Sequence, residues 1–351
     1  MLVGRVETSH GALRALDYRD ETNSQRQRSA RGQGAARGPS VPEDRVVSPS
    51  QPDVLERVSC PQCGGSECRP KTMTAPNKAG FGGPFAVVEC DRCGLTYANP
   101  RLSGPALSAA YASLQQEGAQ RPPVPVEQAQ PAGLLRRWWR HLTQRQVVGD
   151  WVKEGPVLDV GCDDGQLLLA LRERGLQVSG IEVSPDALAR CRARGLHVME
   201  GTIEDVTLED AAYRTITLSH VLEHCPDPVA VLKKLWRALA PGGRIVVAVP
   251  NHHGLVARVF GANWHGWDPP FHLTHFDPAS LRKALDSAGF RVDTVFTRGN
   301  PEDVTRSLAK LVGRRADALW MRAAFLPVWA LGPLALGGEV CAVAHRPSLE
   351  N

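Results

Sequence analysis

The sequence predicts an α/β fold built on a parallel sheet. Three observations carry that prediction. From Gly155 onward, short apolar runs alternate with segments of helical period; the first run ends in a glycine-rich turn; and an acid closes the second run.

Taken in order, residues 1–54 are rich in Gly, Ser, Arg, Gln and Pro and show no hydrophobic period. Such a segment buries too little surface to offset the entropy of ordering, so a disordered tail is expected. Residues 55–100 are Cys- and Gly-rich and compact, and 101–133, which include RPPVPVEQAQPAG, read as a linker. LLRRWWRHLTQRQVV (134–148) interleaves apolar and cationic residues and reads as a helix.

Val157–Val160 is the first strand, and GQLLLALRERG (165–175) is its helix, stopped by Gly175. LQVSGIEV (176–183) is the second strand. SPDALARCRARG (184–195) is the next helix, with Ser184 as N-cap, Pro185 in its first position and Gly195 ending it. LHVMEG (196–201) and YRTITLS (213–219) are strands three and four. DPVAVLKKLWRALA (227–240) is a helix closed by PGG, and RIVVAVP (244–250) is strand five. PASLRKALDSAGF (278–290) is helical, and RVDTVFTR (291–298) and GEVCAVAHR (338–346) are the last strands. Between those two, residues 299–337 insert an amphipathic segment, cationic in its first half and apolar in its second.

Apolar residues make up 42% of the 351 and charged residues 22%, ordinary values for a soluble globular chain. The net charge of +4, from 41 basic and 37 acidic side chains, is too small an excess to argue for nucleic acid. The N-terminus lacks the apolar core of a signal peptide, and no uncharged apolar run reaches the roughly 18 residues of a membrane span, so a cytoplasmic chain is expected. In a reducing compartment, nine Cys are metal ligands or buried thiols rather than disulfides.

CPQCGG (60–65) and CDRCGL (90–95) are two C-x-x-C-G turns. The Gly after each second Cys permits a backbone tight enough to aim amides at the sulfurs, and two turns supply four thiolates. Cys60, Cys63, Cys90 and Cys93 are therefore expected to hold a structural Zn2+, with no position left open for catalysis.

The first strand runs into VLDVGCDDGQLL. Gly161 and Gly165 leave the backbone bare for a ligand, Asp159 offers a carboxylate at the strand end, and Glu182 closes strand two where it can accept ribose hydroxyls. A dinucleotide fingerprint needs G-x-G-x-x-G, whereas this loop is G-C-D-D-G, with Asp163 and Asp164 where a pyrophosphate would lie. S-adenosylmethionine, cationic at sulfur and without phosphate, suits the loop better.

In VLDVGCDDG, GIEVSPDAL, GTIEDV, SHVLEHCPDP and LAPGGRIVVAVPN, in this order, the chain resembles a class I S-adenosylmethionine-dependent methyltransferase. The resemblance covers 155–300 and 338–346 and implies a Rossmann-like seven-stranded methyltransferase sheet, its last strand inserted antiparallel. With the segments before it, the expectation is this domain over 134–351, a small N-terminal zinc ribbon and the disordered N-terminal tail. The family motifs imply that Asp159, Gly161, Cys162 and Gly165 face the methionine part of the cofactor and that Glu182 holds the ribose. They imply that Ile203, Glu204 or Asp205 frames the adenine and that Ser219 and His220 close the methionine side. Asp163 departs from the family, in which many members have Gly.

SHVLEH (219–224) also matches H-x-x-E-H, which some zinc peptidases carry on a helix. Its place after strand four, followed by CPDP, argues instead for a loop over the methyl donor. It further resembles the E-x-x-E-H segment of ubiquinone-type O-methyltransferases, for which a divalent cation is implied; His220, Glu223 and His224 would share one face of a turn.

If a hydroxyl is the nucleophile, a base is useful, and His224, His272 and His275 are the candidates, the last two within WDPPFHLTHF (267–276). The expected acceptor is a small molecule or a carrier-bound or lipid-linked intermediate, with O-methylation the leading reaction. The alternative is a degenerate methyltransferase fold serving as a zinc-ribbon binding module. The insertion admits a lid, a peripheral membrane contact through 303–336 at the inner membrane face, or a self-association surface. Nucleic acid is not expected, because no Lys/Arg stripe with interleaved aromatics occurs outside 134–145.

Overall fold

A computed structural model describes residues 54–77, 83–119, 148–299, 301–312 and 337–348. The expected tail up to residue 53, the linker from 120, the helix up to residue 147 and insertion residues 313–336 lie outside the described residues.

The Cys-rich segment forms short strands: β1 (Leu55–Glu56), β2 (Cys68–Thr74), β3 (Phe85–Cys90), β4 (Thr96–Ala98) and β5 (Arg101–Leu102). Its two turns have the same hydrogen bonds, Cys60 N–H to Gly65 O and Gly64 N–H to Cys60 O in one, Cys90 N–H to Leu95 O and Gly94 N–H to Cys90 O in the other. Gly64 and Gly94 have φ of 70° and 78°, the left-handed region that a Cβ disfavours. Directly after β5, where the sequence reads as a linker, the chain forms a helix over Gly104–Ala119.

The main sheet comprises β6 (Val157–Val160), β7 (Val178–Glu182), β8 (Val198–Glu200), β9 (Tyr213–Ser219) and β10 (Leu239–Pro250), joined later by β12 (Arg291–Arg298) and β13 (Glu339–His345). Its order is β12-β13-β10-β9-β6-β7-β8. All neighbours pair parallel except β13, which lies antiparallel between β10 and β12. The expected seven strands and antiparallel insertion are therefore present. All four residues of β6 are buried, as a central strand covered on both faces requires.

Helix Pro185–Ala193 begins at the expected cap, with the Ser184 hydroxyl accepting from Ala187 N–H. Helix Pro228–Ala238 is capped by Asp227, which accepts from Ala230 N–H at 2.9 Å. The PGG after it does not end in a loop: β10 already starts at Leu239 and carries a register shift between Leu239 and Arg244. The start of the insertion is helical over Pro301–Val312, and Val304 packs with Trp264 and Trp267.

The two parts share structure. Strand β11 (Thr274–His275) pairs antiparallel with β4, so the segment after β10 supplies the edge of the Cys-rich sheet, in the order β11-β4-β3-β2. One apolar cluster joins Cys60, Cys90, Leu95 and Tyr97 to Leu222, Phe276 and Leu281.

Candidate functional site

Strands β6, β7 and β8 step to one side of the main sheet, while β9 and β10 step to the other. The order reverses between β6 and β9, and a cleft opens outside the carboxyl ends there, as open α/β sheets favour. The cleft has a volume of ≈ 660 Å³. Its walls are Val160 and Gly161 at the end of β6, Ile181 to Val183 at the end of β7, Gly201 to Asp205 after β8, and His220, Val221 and His224 to Pro226 after β9. Helix Gly104–Ala119 forms a further wall through Gly104, Leu107, Ser108, Tyr111 and Ala112. Residues 101–133 read as a linker, so this wall is a site component that sequence reasoning missed. Ser103-Gly104-Pro105 as a start, followed by Leu107, Ala110 and Tyr111 at helical spacing, was the available signal.

Glu182 lines the cleft, and its carboxylate accepts from three backbone N–H groups: Asp163 at 2.8 Å, Val183 at 2.9 Å and Ser184 at 2.8 Å. A carboxylate offers about four lone-pair sites, so an acceptor site is left over for a ligand hydroxyl. These bonds fix the acid and, through Asp163 at φ 48°, the glycine loop around it.

Gly161 has φ 69° and lines the cleft; a Cβ there would come within 2.6 Å of Val221 Cγ2. Gly165, expected to face the methionine part of the cofactor, is not among the residues that line the cleft. A Cβ on it would meet Leu196 at 2.3 Å and Cys191 at 3.0 Å, and its φ is 75°, so the packing behind the loop and the backbone both require a glycine there. Cys162 is buried against Gly180 and Leu168, behind the loop. Asp159 is buried and accepts from Thr217 Oγ1 at 2.7 Å. Neither these three nor Ser219 lines the cleft, whereas Ile203, Glu204, Asp205 and His220 do. Asp163 and Asp164 turn to the arginines at the end of helix Pro185–Ala193, Arg190 at 3.5 Å and Arg194 at 3.6 Å.

SHVLEH is not a zinc-peptidase helix. Only Leu222–His224 form a single 3-10 turn, and His220 precedes it with φ 57°. His220 Nδ1 lies 3.2 Å from Glu223 Oε1 and its Nε2 3.4 Å from Glu339 Oε1. Burial opposes charge on this imidazole, but the two carboxylates outweigh it and raise its pKa to about 10. The contact His220 makes with Glu223 is thus an ion pair that positions the loop, and the one face that His220, Glu223 and His224 were expected to share is not formed as a helical turn. Glu223 and His224 instead meet His272, with one ligand atom of each within 4.8 Å of the others.

His224 lines the cleft. Its Nδ1 is 3.0 Å from Phe271 O and 3.1 Å from Tyr111 Oη. A carbonyl only accepts, so Nδ1 carries the proton and Nε2 keeps the lone pair. Burial, reinforced by His272, lowers this imidazole to about 4, leaving it neutral at pH 7. His272 stands one layer back, its ring 4.6 Å from His224 and its Nδ1 2.8 Å from Gly266 O. His275, the third candidate base, is buried on β11 against Trp267 and does not reach the cleft.

In the Cys-rich part, Cys60 and Cys93 Sγ are 3.5 Å apart and Cys63 and Cys90 Sγ 3.6 Å. All four sulfurs lie within 4.8 Å of one another.

Residues 133–295 match a family model described as a methyltransferase domain. The chain is 31% identical over 194 residues to the ubiquinone biosynthesis O-methyltransferase of Idiomarina loihiensis, covering 47% of this chain and 79% of that protein. It is 29% identical over 197 residues to the protein of the same name from Aeromonas salmonicida, covering 48% and 82%. Among solved structures, a SAM-dependent methyltransferase from Thermotoga maritima matches at 19% identity with a TM-score of 0.44, over 60% of this chain and 94% of that one.

Proposed function

Since the chain belongs to the class I S-adenosylmethionine-dependent methyltransferases, we propose that it O-methylates a small-molecule, carrier-bound or lipid-linked acceptor at the cleft beside His224. The observation that carries this reading is a neutral imidazole on the cleft wall, with Tyr111 Oη beside it. The relatives' name, ubiquinone biosynthesis O-methyltransferase, agrees with oxygen as the methyl acceptor.

S-adenosylmethionine, when bound, supplies an electrophilic methyl group on a sulfonium that is already a good leaving group. The chain's task is then alignment and exclusion of water. The ≈ 660 Å³ cleft lies within the range of small-ligand sites. In the proposed arrangement Glu182 accepts from the ribose, the Ile203 to Asp205 segment borders the adenine, and Gly161 and His220 border the methionine end. His224 takes the acceptor's proton at Nε2, while Phe271 O and Tyr111 hold its ring in place.

The Cys quartet is proposed to hold structural zinc. Zn–S bonds of about 2.3 Å place tetrahedral sulfurs roughly 3.8 Å apart, close to the spacings found here.

Incubation with methyl-labelled S-adenosylmethionine and a panel of catechols and other hydroxyl acceptors tests the reading. Label is expected on oxygen, with His224→Ala lowering kcat by roughly 10²–10⁴ and leaving donor affinity unchanged. Label on carbon or nitrogen would overturn the O-methylation assignment. Tight donor binding without transfer to any acceptor would favour the binding-module alternative.

A further inference from the structure

A second group of potential ligands stands apart from both the cleft and the Cys quartet. His252 and His253 follow β10, and Asp277 caps helix Pro278–Ser287. One ligand atom from each lies within 4.8 Å of the other two. His253 Nδ1 is 3.1 Å from Asp277 Oδ2, and His252 Nε2 is 3.9 Å from the same oxygen.

The arrangement is braced on both sides. Asn251 bridges Phe276, His252 N–H donates to Phe276 O, and Asn251 Oδ1 accepts from His253 N–H. Asp277 spends Oδ1 on the helix cap, accepting from Ser280 N–H at 2.7 Å, which leaves Oδ2 turned to the two imidazoles. Trp267 stacks on His252 with ring centroids 6.0 Å apart.

His252 is the informative residue. Its side chain is 1% exposed, and neither ring nitrogen has a hydrogen-bond partner in the packing around it. Buried polar groups are paired in the great majority of cases, so an imidazole orphaned at both nitrogens and set beside a carboxylate calls for a missing partner. Imidazole binds metals through the ring-nitrogen lone pair of its neutral form. Lys71 would repel a cation, but its Nζ is paired with Glu89 Oε2 at 2.9 Å.

We propose that His252, His253 and Asp277 form a metal site for a divalent transition ion such as Zn2+. Two imidazoles and one carboxylate are a donor set that such ions accept. Bonds of about 2.0–2.2 Å put neighbouring ligand atoms roughly 3.0–3.6 Å apart, so the shorter contact fits and the longer one closes with a small rotation of the carboxylate. His253, half exposed, marks the side from which the ion enters and where water completes its shell. The inference does not depend on the methyltransferase reading, since none of the three residues lines the cleft.

The full-length protein and its His253→Gln variant, each loaded with Zn2+ and freed of excess metal, test this by counting bound ions. The variant changes a half-exposed side chain, so the fold is expected to persist, checked by an unchanged melting profile of the metal-free forms. The unmodified protein is expected to keep one more ion per chain than the variant. Loading with Co2+ supplies the second readout: the difference spectrum should show visible d–d bands without a thiolate charge-transfer band. Equal metal content in the two proteins, or a difference spectrum dominated by thiolate, would overturn the assignment.

Discussion

Glu223 is ionised although it is almost wholly out of water, and the imidazolium of His220 is what holds it so. Removing one partner of a buried pair strands the other charge, at a cost of about 3–5 kcal/mol. His220→Ala is therefore expected to lower unfolding stability by about 3 kcal/mol at pH 6, measured by urea titration. Because the folded pKa of His220 is raised from 6.5 to about 10, its contribution is complete below pH 6.5 and is lost as pH rises toward 10. The gap between variant and unmodified protein should narrow over that window; a gap independent of pH would contradict the pairing. His224 shifts the other way, to about 4. Turnover should hold level from pH 7 to about 5 and fall as pH approaches 4, a profile that steady-state kcat measurements would reveal. The same burial makes the fold less stable below pH 6.5, where the unfolded chain takes up the proton first.

At the scale of elements, helix Gly104–Ala119 is held against the cleft by one apolar face. Leu107 and Ala110 bury its inner face with Phe85, Leu102 and Phe271, and Tyr111 packs on Phe271 with ring centroids 5.1 Å apart. Leu107→Asp places a charge in that contact and is expected to undock the helix. Hydrogen exchange over residues 104–113 should rise while the main sheet stays protected, and KM for the acceptor should increase. The strands were legible beforehand because their apolar runs are bounded by caps and glycines: Val157–Val160, Tyr213–Ser219 and Arg291–Arg298 coincide with the expected limits. Helix Gly104–Ala119 was obscured by the Pro- and Gln-rich stretch that follows it. The site divides in the same way. Glu182 and Gly161 line the cleft as their motif places imply, because strand ends are fixed by the sheet. Gly165, Cys162 and His275 do not, because whether a loop residue faces a ligand or a neighbouring helix is decided by packing that no local pattern encodes.

Over the whole molecule, the Cys-rich sheet and the main sheet do not behave as beads on a string. Strand β11 completes the former, and the same segment reaches the cleft: Ala98 N–H donates to Leu273 O, Leu273 N–H donates to Glu223 O, and Phe271 O orients His224. If zinc holds the four Cys, stripping it with a chelator is expected to lower the melting temperature of the described fold in a single transition and to reduce turnover as well. Two separate transitions, or full activity after metal loss, would show the parts to be independent. The most direct test of the account as a whole is a calorimetric titration of the full-length protein with S-adenosylmethionine, repeated on Glu182→Ala. One saturable site is expected in the unmodified protein, weakened at least about tenfold in the variant, equivalent to about 1.4 kcal/mol. An absence of binding in the unmodified protein, or an affinity untouched by the substitution, would contradict it.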